Sequence, residues 1–204
     1  MRNLGGVAIL MNDVKYIVGT PDICDIPLMA CSPEAIVFAS ELSTLLMKSS
    51  LSRRFSDVAA FAFWCRKGNV EKIKENCPEY AGRLGRGLCF HVAPSNIPIN
   101  FAFTYLFGLL AGCANIVRIP SKEFPQTELL LEELDRLLDK HGEIKKRTAF
   151  VRYPADSSAT LELSKIADAR MIWGGDKTVL KIKSLETKPK CVDITFADRY
   201  SLCV

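Results

Sequence analysis

The sequence lacks the patterns that hold metal ions. Only two histidines occur, His91 and His141, and neither has metal-ligand spacing to the other or to acidic residues. None of the eight cysteines forms a CxxC pair. A structural zinc site is therefore not expected, and we predict no metal. His91 lies within the apolar run CFHVA and is interpreted as a core histidine rather than a catalytic base.

A strong charge imbalance is also lacking. The chain has 27 basic and 23 acidic residues, and its formal net charge is +4. Because a nucleic-acid-binding surface is usually far more basic, no nucleic-acid partner is predicted. A few basic side chains gathered at one place can still bind the phosphates of a small ligand.

No apolar run is long enough to cross a membrane. The longest, residues 97–114, is interrupted by Asn100 and Thr104, and it falls short of the roughly 20 apolar residues that a bilayer requires. The N-terminus has no charged start followed by an apolar run and a small-residue cleavage site, as a secretory signal would. We expect a cytoplasmic protein without a membrane span, whose cysteines are reduced and buried.

What the sequence does contain is an alternation of strands and helices, which predicts an α/β fold with a parallel sheet. Residues 1–31 are predicted to form an N-terminal β arm and loop, with two short strands around residues 12–13. Residues 32–84 form a helical section, in which Ser32 caps a helix and a second helix covers 53–68. Residues 85–204 form a dinucleotide-binding core, with predicted strands that include 88–92, 148–153, 170–173, 191–196 and 201–204.

Three loops with unusual chemistry follow strands of this predicted core: residues 93–98, 120–124 and 174–178. Ligands of parallel sheets bind outside the carboxyl ends of the strands, so the three loops should meet at one site. This coincidence is the main argument from the sequence for a functional cleft.

The first loop combines Ala93, Pro94, Ser95 and Asn96, and prolines on both sides of the Ser-Asn pair stiffen it. A fixed amide NH2 can stabilise negative charge that develops on a substrate oxygen. Alternatively, Asn96 caps the helix that follows. The two interpretations are compatible, because the backbone could serve one role and the side chain the other.

The second loop supplies two cations and a hydroxyl. Arg118, Ser121 and Lys122 follow a strand and could hold an adenosine ribose or its 2′-phosphate. The alternative interpretation is an ordinary solvated strand end.

The third loop offers backbone N–H groups at a helix start, where phosphate oxygens bind well. It consists of Trp173, Gly174, Gly175 and Asp176, with Thr178 in the turn that follows. The diglycine belongs neither to a GxGxxG fingerprint nor to a P-loop. Asp176 could also be a plain N-cap of the next helix.

Five segments, in order over residues about 85–204, resemble the Lux-type (LuxC-like) fatty acyl-CoA reductases, a branch of the aldehyde dehydrogenase superfamily. They are HVAPSNIPIN, LLAGCANIVRIPSK, FVRYPADSSATL, MIWGGDKTV and DITFADRYSLCV. The resemblance implies a Rossmann-like parallel sheet of aldehyde dehydrogenase type, of which this chain is the N-terminal, coenzyme-binding half.

The resemblance also implies a reaction. The family reduces a fatty acyl-CoA, or an acyl group passed from an acyl-protein donor or a partner enzyme, to an aldehyde with NADPH rather than NADH. A cysteine thiolate takes the acyl group. By resemblance, Asn96 is the oxyanion donor, Ser121 and Lys122 meet the adenosine ribose, and the diglycine lies beside the pyrophosphate.

Two departures from the family pattern stand out. Ile119 occupies a position where many aldehyde dehydrogenases have lysine, so Arg118 or Lys122 would have to compensate. The nucleophilic cysteine of the family lies beyond the last matched segment, and the catalytic domain is absent. Cys191 and Cys203 match strand positions and are not assigned that role.

We therefore expect the coenzyme-binding part of an acyl-CoA reductase, which by itself does not reduce acyl-CoA. The alternative is a truncated, non-catalytic paralogue that acts as a binding or assembly module. A homo-oligomer is compatible with either hypothesis.

Overall fold

The computed structural model describes residues 7–8, 13–77 and 82–197. A six-stranded sheet forms its centre, and the strands lie side by side in the order β2 (Lys15–Gly19), β6 (Thr148–Arg152), β5 (Ala114–Arg118), β4 (Leu88–Val92), β7 (Ala169–Trp173) and β8 (Val192–Phe196). A separate two-stranded sheet pairs β1 (Val7–Ala8) with β3 (Asp22–Ile23). The predicted strand at 201–204 lies outside the described residues.

The order of the strands creates a crevice at the middle of the sheet. Strands β4 to β8 are parallel, whereas β2 pairs antiparallel with β6 at one edge. From β4 the chain winds outward through β5 to β6, and then returns to the other side of β4 to form β7 and β8. The winding therefore reverses between β4 and β7, which is where open α/β sheets bind ligands.

Helices cover both faces of the sheet. Because side chains alternate along a strand, Ile116 and its neighbour Val117 enter different cores. The helices are α1 (Pro33–Lys48), α2 (Ser50–Arg54), α3 (Ser56–Trp64), α4 (Lys67–Asn76), α5 (Asn100–Leu110), α6 (Pro125–Leu138), α7 (Gly142–Lys145), α8 (Ala159–Ile166) and α9 (Asp176–Lys183). The core that contains Val117 includes side chains of α1, α3, α5 and α6, and the core that contains Ile116 includes side chains of α8 and α9.

The helical section agrees with the sequence prediction at its start and differs from it further on. Ser32 caps α1, and its hydroxyl accepts a hydrogen bond from the N–H of Ala35 at 3.3 Å. The single helix predicted for 53–68 is wrong, because Phe55 has an extended backbone that separates α2 from α3. The ring of Phe55 packs against the core, and tertiary packing thus overrides helical periodicity.

The strands predicted around residues 12–13 do not form a hairpin. Instead β1 pairs with β3, and β2 joins the central sheet beside β6. Gly19 permits this close approach, since its φ is +82° and a Cβ there would lie 2.1 Å from the carbonyl oxygen of Thr148. Among the described helices, none combines the length and the apolar character that a bilayer crossing requires.

Candidate functional site: a cleft at the carboxyl edge of the sheet

A cleft of about 450 Å³ opens where β4, β5 and β7 end. All three predicted loops contribute to it, as expected for the carboxyl edge of a parallel sheet. The residues that line the cleft are Val92, Ala93, Pro94, Ser95, Asn96, Arg118, Pro120, Ser121, Lys122, Trp173, Gly174, Gly175 and Thr178.

The structure thus brings together every residue singled out from the sequence except one. Asp176 is the first residue of α9, is exposed, and does not line the cleft. Its interpretation as an N-cap is wrong, because Gly175 occupies the cap position without a side-chain hydrogen bond. Val92 and Pro120 line the cleft but were not among the predicted site residues. Pro120 begins the second predicted loop and Val92 directly precedes the first, which is the signal that could have identified them.

The side chain of Asn96 is not a helix cap. Helix α5 begins at Asn100, its N-cap position is Ile99, and no side chain caps it. Asn96 is exposed in the cleft wall, and within the described part of the chain its amide makes no hydrogen bond. The amide NH2 is therefore available to a ligand.

Because Asn96 caps nothing, replacing it with alanine should change the free energy of unfolding by less than about 0.5 kcal/mol. Ser32→Ala, which removes a real cap, should cost about 1 kcal/mol. Urea unfolding of the two variants measures both values. A loss at Asn96 as large as that at Ser32 would contradict the assignment.

Two cations border the cleft on the side of β5. The guanidinium carbon of Arg118 lies 4.6 Å from the ring centre of Tyr153, and Nζ of Lys122 lies 4.8 Å from that of Phe124. Neither has an acidic partner among the described residues, and Nε of Arg118 is buried without a hydrogen bond. This part of the cleft therefore carries a positive charge that no acidic side chain of the described residues neutralises. Ile119 is buried, so its side chain faces the core rather than a ligand.

The opposite wall is formed by the turn between β7 and α9. The N–H of Thr178 donates to the carbonyl oxygen of Gly175 at 2.8 Å, which closes the first turn of α9. The N–H groups that precede this bond have no partner within the helix and carry the positive end of its dipole. Such a turn favours an anion.

His91 is a core residue, as predicted. It is fully buried, with Nδ1 2.9 Å from Oγ1 of Thr104 and Nε2 2.9 Å from Oδ1 of Asn115. Burial lowers the pKa of His91 to about 4, while the hydrogen bond with Asn115 opposes the shift. The imidazole is neutral at physiological pH.

The lowered pKa of His91 predicts acid destabilisation. Between its ordinary pKa of 6.5 and about 4, the unfolded chain binds a proton that the folded chain does not. The neutral, buried His91 therefore contributes its full share to the free energy of unfolding above pH 6.5. This contribution is lost as the pH decreases towards 4, and the loss amounts to about 3 kcal/mol. The measurement is urea unfolding of the wild type and of His91→Gln, whose amide does not titrate, at pH 7.5 and 4.5. An equal loss in both proteins would contradict the assignment.

None of the seven cysteines within the described residues lines the cleft. Cys89, Cys113 and Cys191 lie at the amino ends of strands, which is the opposite edge of the sheet. Burial raises the pKa of all three thiols, so they are poor nucleophiles. Cys203 lies outside the described residues. Among the residues that the structure does describe, no group of three His, Cys, Asp or Glu side chains could hold a metal ion.

Comparison with known proteins gives one family and one fold. The family model described as acyl-CoA reductase (LuxC) matches residues 38–204. An NAD-dependent benzaldehyde dehydrogenase from Corynebacterium glutamicum superposes with a TM-score of 0.57 at 12% identity, covering 83% of this chain and 43% of that protein. Proline utilization A (PutA) superposes with a TM-score of 0.56 at 16% identity, over 82% of this chain and 20% of its own. No curated protein sequence matches.

These structural matches establish the fold only. The central sheet and its helices are of aldehyde dehydrogenase type, and the chain spans less than half the length of either solved relative.

Proposed function

The chain belongs to the acyl-CoA reductase (LuxC) family, and we propose that it is the coenzyme-binding part of an NADPH-dependent reductase that converts acyl thioesters to aldehydes. The observation that carries the proposal is the cleft at the point where the sheet reverses its winding. It combines an exposed amide, two cations that have no acidic partner among the described residues, and a glycine turn at a helix start. A dinucleotide needs such an arrangement of positive charge and backbone N–H groups.

Each part of the cleft has a role in holding the coenzyme. The turn at Gly174 and Gly175 and the first N–H groups of α9 would bind the pyrophosphate. Arg118, Ser121 and Lys122 would hold the adenosine ribose, and the two cations would pair with a 2′-phosphate. The buried Nε of Arg118 fits this assignment, because a phosphate oxygen would supply a hydrogen bond that none of the described residues provides.

Asn96 is proposed as the oxyanion donor. When bound, NADPH supplies the hydride that reduces the acyl group. Negative charge then develops on the acyl oxygen, and the amide NH2 of Asn96 can donate a hydrogen bond to it from a loop stiffened by proline. The thiolate that takes the acyl group from an acyl-CoA or acyl-protein donor would come from outside the described residues. We propose a cytoplasmic location, and an acyl-transferring enzyme as a partner.

The experiment is calorimetric titration of the 204-residue chain with NADPH, NADH and acyl-CoA. NADPH should bind more tightly than NADH by at least about tenfold, since two charge-assisted hydrogen bonds to the 2′-phosphate distinguish them. Incubation with NADPH and acyl-CoA should yield no aldehyde. Absence of binding by either nucleotide at millimolar concentration would refute the proposal.

A second candidate function, an assembly module, rests on the edge of the sheet. Val192, Ile194 and Phe196 alternate along β8 and are 36%, 45% and 38% exposed. An apolar strand face of this kind favours association with another polypeptide. Light scattering gives the oligomeric state, and the calorimetric titration gives coenzyme binding. A stable dimer that binds no coenzyme supports the assembly module, whereas a monomer that binds NADPH supports the enzyme part.

A further inference from the structure

A buried chain of hydrogen bonds runs beneath α5 to the wall of the cleft. It starts at Asn115 on β5, passes through His91 on β4 to Thr104 on α5, and ends at the indole of Trp173. Its members other than Trp173 are fully buried. Trp173 lines the cleft, so the chain connects the core with the candidate site.

The direction of each hydrogen bond in this chain can be assigned. Nδ2 of Asn115 donates to the carbonyl oxygen of Cys113 at 2.8 Å, which turns the acceptor Oδ1 towards Nε2 of His91. Nε2 of the neutral ring must therefore carry the proton, and Nδ1 accepts from the hydroxyl of Thr104. The hydroxyl has one hydrogen, and an imidazole nitrogen is a stronger acceptor than Sδ of Met171, which lies 3.5 Å away. Oγ1 of Thr104 therefore donates to His91 and accepts from Nε1–H of Trp173, 3.4 Å away.

The indole of Trp173 is held on a second side by Phe196. The two rings stack with their centres 3.7 Å apart and an interplanar angle of 7°. The next residue, Gly174, donates its N–H to the carbonyl oxygen of Phe196 at 3.2 Å. Because Gly174 and Gly175 have no side chains of their own, the position of this turn depends on that backbone hydrogen bond and on the packing of the adjoining indole.

We propose that Thr104 is a positioning residue of the cleft: its hydroxyl, oriented by His91, fixes the Trp173 indole and thereby the diglycine turn that follows. The inference deepens the proposed function, on which its effect on coenzyme affinity rests. Thr104 itself touches no ligand and acts only through Trp173.

Removing the hydroxyl while keeping the side-chain volume tests this role. Thr104→Val should weaken NADPH binding about tenfold, because Nε1–H of Trp173 loses its acceptor and the turn loses its anchor. Thr104→Ser, which keeps the hydroxyl, should restore the affinity to within about threefold. The matched control is Tyr105→Phe. It removes a hydroxyl that is equally buried on the same helix. That hydroxyl forms a hydrogen bond of 2.9 Å with Thr148 at the start of β6, away from the cleft. Tyr105→Phe should leave the affinity unchanged.

A double-mutant cycle separates positioning from a general loss of packing. Trp173→Phe keeps an aromatic ring but has no N–H, so Thr104→Val should have no further effect on NADPH affinity in that background. An additional tenfold loss there, or an equal loss in Tyr105→Phe, would overturn the proposal. So would an unchanged affinity in Thr104→Val.

A second readout does not depend on the coenzyme. The chain has two tryptophans, so Trp64→Phe leaves Trp173 as the only indole fluorophore. In that background Thr104→Val should raise the acrylamide quenching constant about twofold, and Thr104→Ser should not. If wild-type protein binds no NADPH, the proposed function fails, and quenching still decides whether Thr104 fixes Trp173. An unchanged quenching constant would refute the positioning role.

Discussion

Replacing Arg118 and Lys122 together by glutamine is expected to lower the affinity for NADPH roughly hundredfold and that for NADH by less than about threefold. Both cations border the cleft without an acidic partner among the described residues. A 2′-phosphate would pair with both, and each charge-assisted hydrogen bond is worth about 1.5–3 kcal/mol. NADH lacks that phosphate, so calorimetric titration with both nucleotides isolates the contribution of the two cations.

The chain offers a close control for this experiment. Arg66 stacks on Phe63 with the same separation of 4.6 Å that joins Arg118 to Tyr153, but it lies on the helical section and does not line the cleft. Arg66→Gln should therefore leave both affinities unchanged. If the double variant lost affinity for NADH and NADPH equally, the cations would not bind the 2′-phosphate, and the proposed preference for NADPH would be wrong.

The core of the sheet could be predicted from local sequence alone. The run LCFHV is apolar, and the structure gives it as β4 with every residue buried. The loops that follow β4, β5 and β7 converge because the carboxyl ends of parallel strands share one edge. That rule needs only the order of the elements, which explains why most of the cleft lining was predicted.

What could not be predicted depends on contacts distant in sequence. The pairing of β2 with β6 joins residues more than a hundred positions apart, and no local pattern distinguishes it from a hairpin with β1. Phe55 interrupts a helical pattern because its ring packs against the core. Asn96 has the residue type of a cap, but helix α5 starts only at Asn100.

The same distinction applies within the site. The order of the elements and the residue types of the three loops predicted most of the side chains that line the cleft. Two properties belong to the assembled fold: Arg118 has no acidic partner in the part of the chain that the structure describes, and Trp173 bonds to Thr104. Sequence therefore located the cleft, whereas its charge and its rigidity became visible only in three dimensions.

Gly108 provides the strongest test of the core beneath the cleft. It lies on α5 above the buried pair of His91 and Asn115, and a Cβ at this position would lie 2.0 Å from Oδ1 of Asn115 and 3.0 Å from the imidazole. Gly108→Ala should therefore displace the helix or break the hydrogen bond, and lower the free energy of unfolding by about 2–4 kcal/mol. Urea unfolding measures this loss.

The sign of that change is informative, because helix propensity alone predicts the opposite. Alanine is favoured over glycine inside a helix by up to about 1 kcal/mol. Gly68 on α4 is the matched control, since a Cβ there would meet nothing within 4 Å. Gly68→Ala should stabilise the protein by about 0.5 kcal/mol, while Gly108→Ala destabilises it. If both substitutions stabilised the protein, α5 would not pack directly on the His91–Asn115 pair. The pair could then not orient the Thr104 hydroxyl towards Trp173.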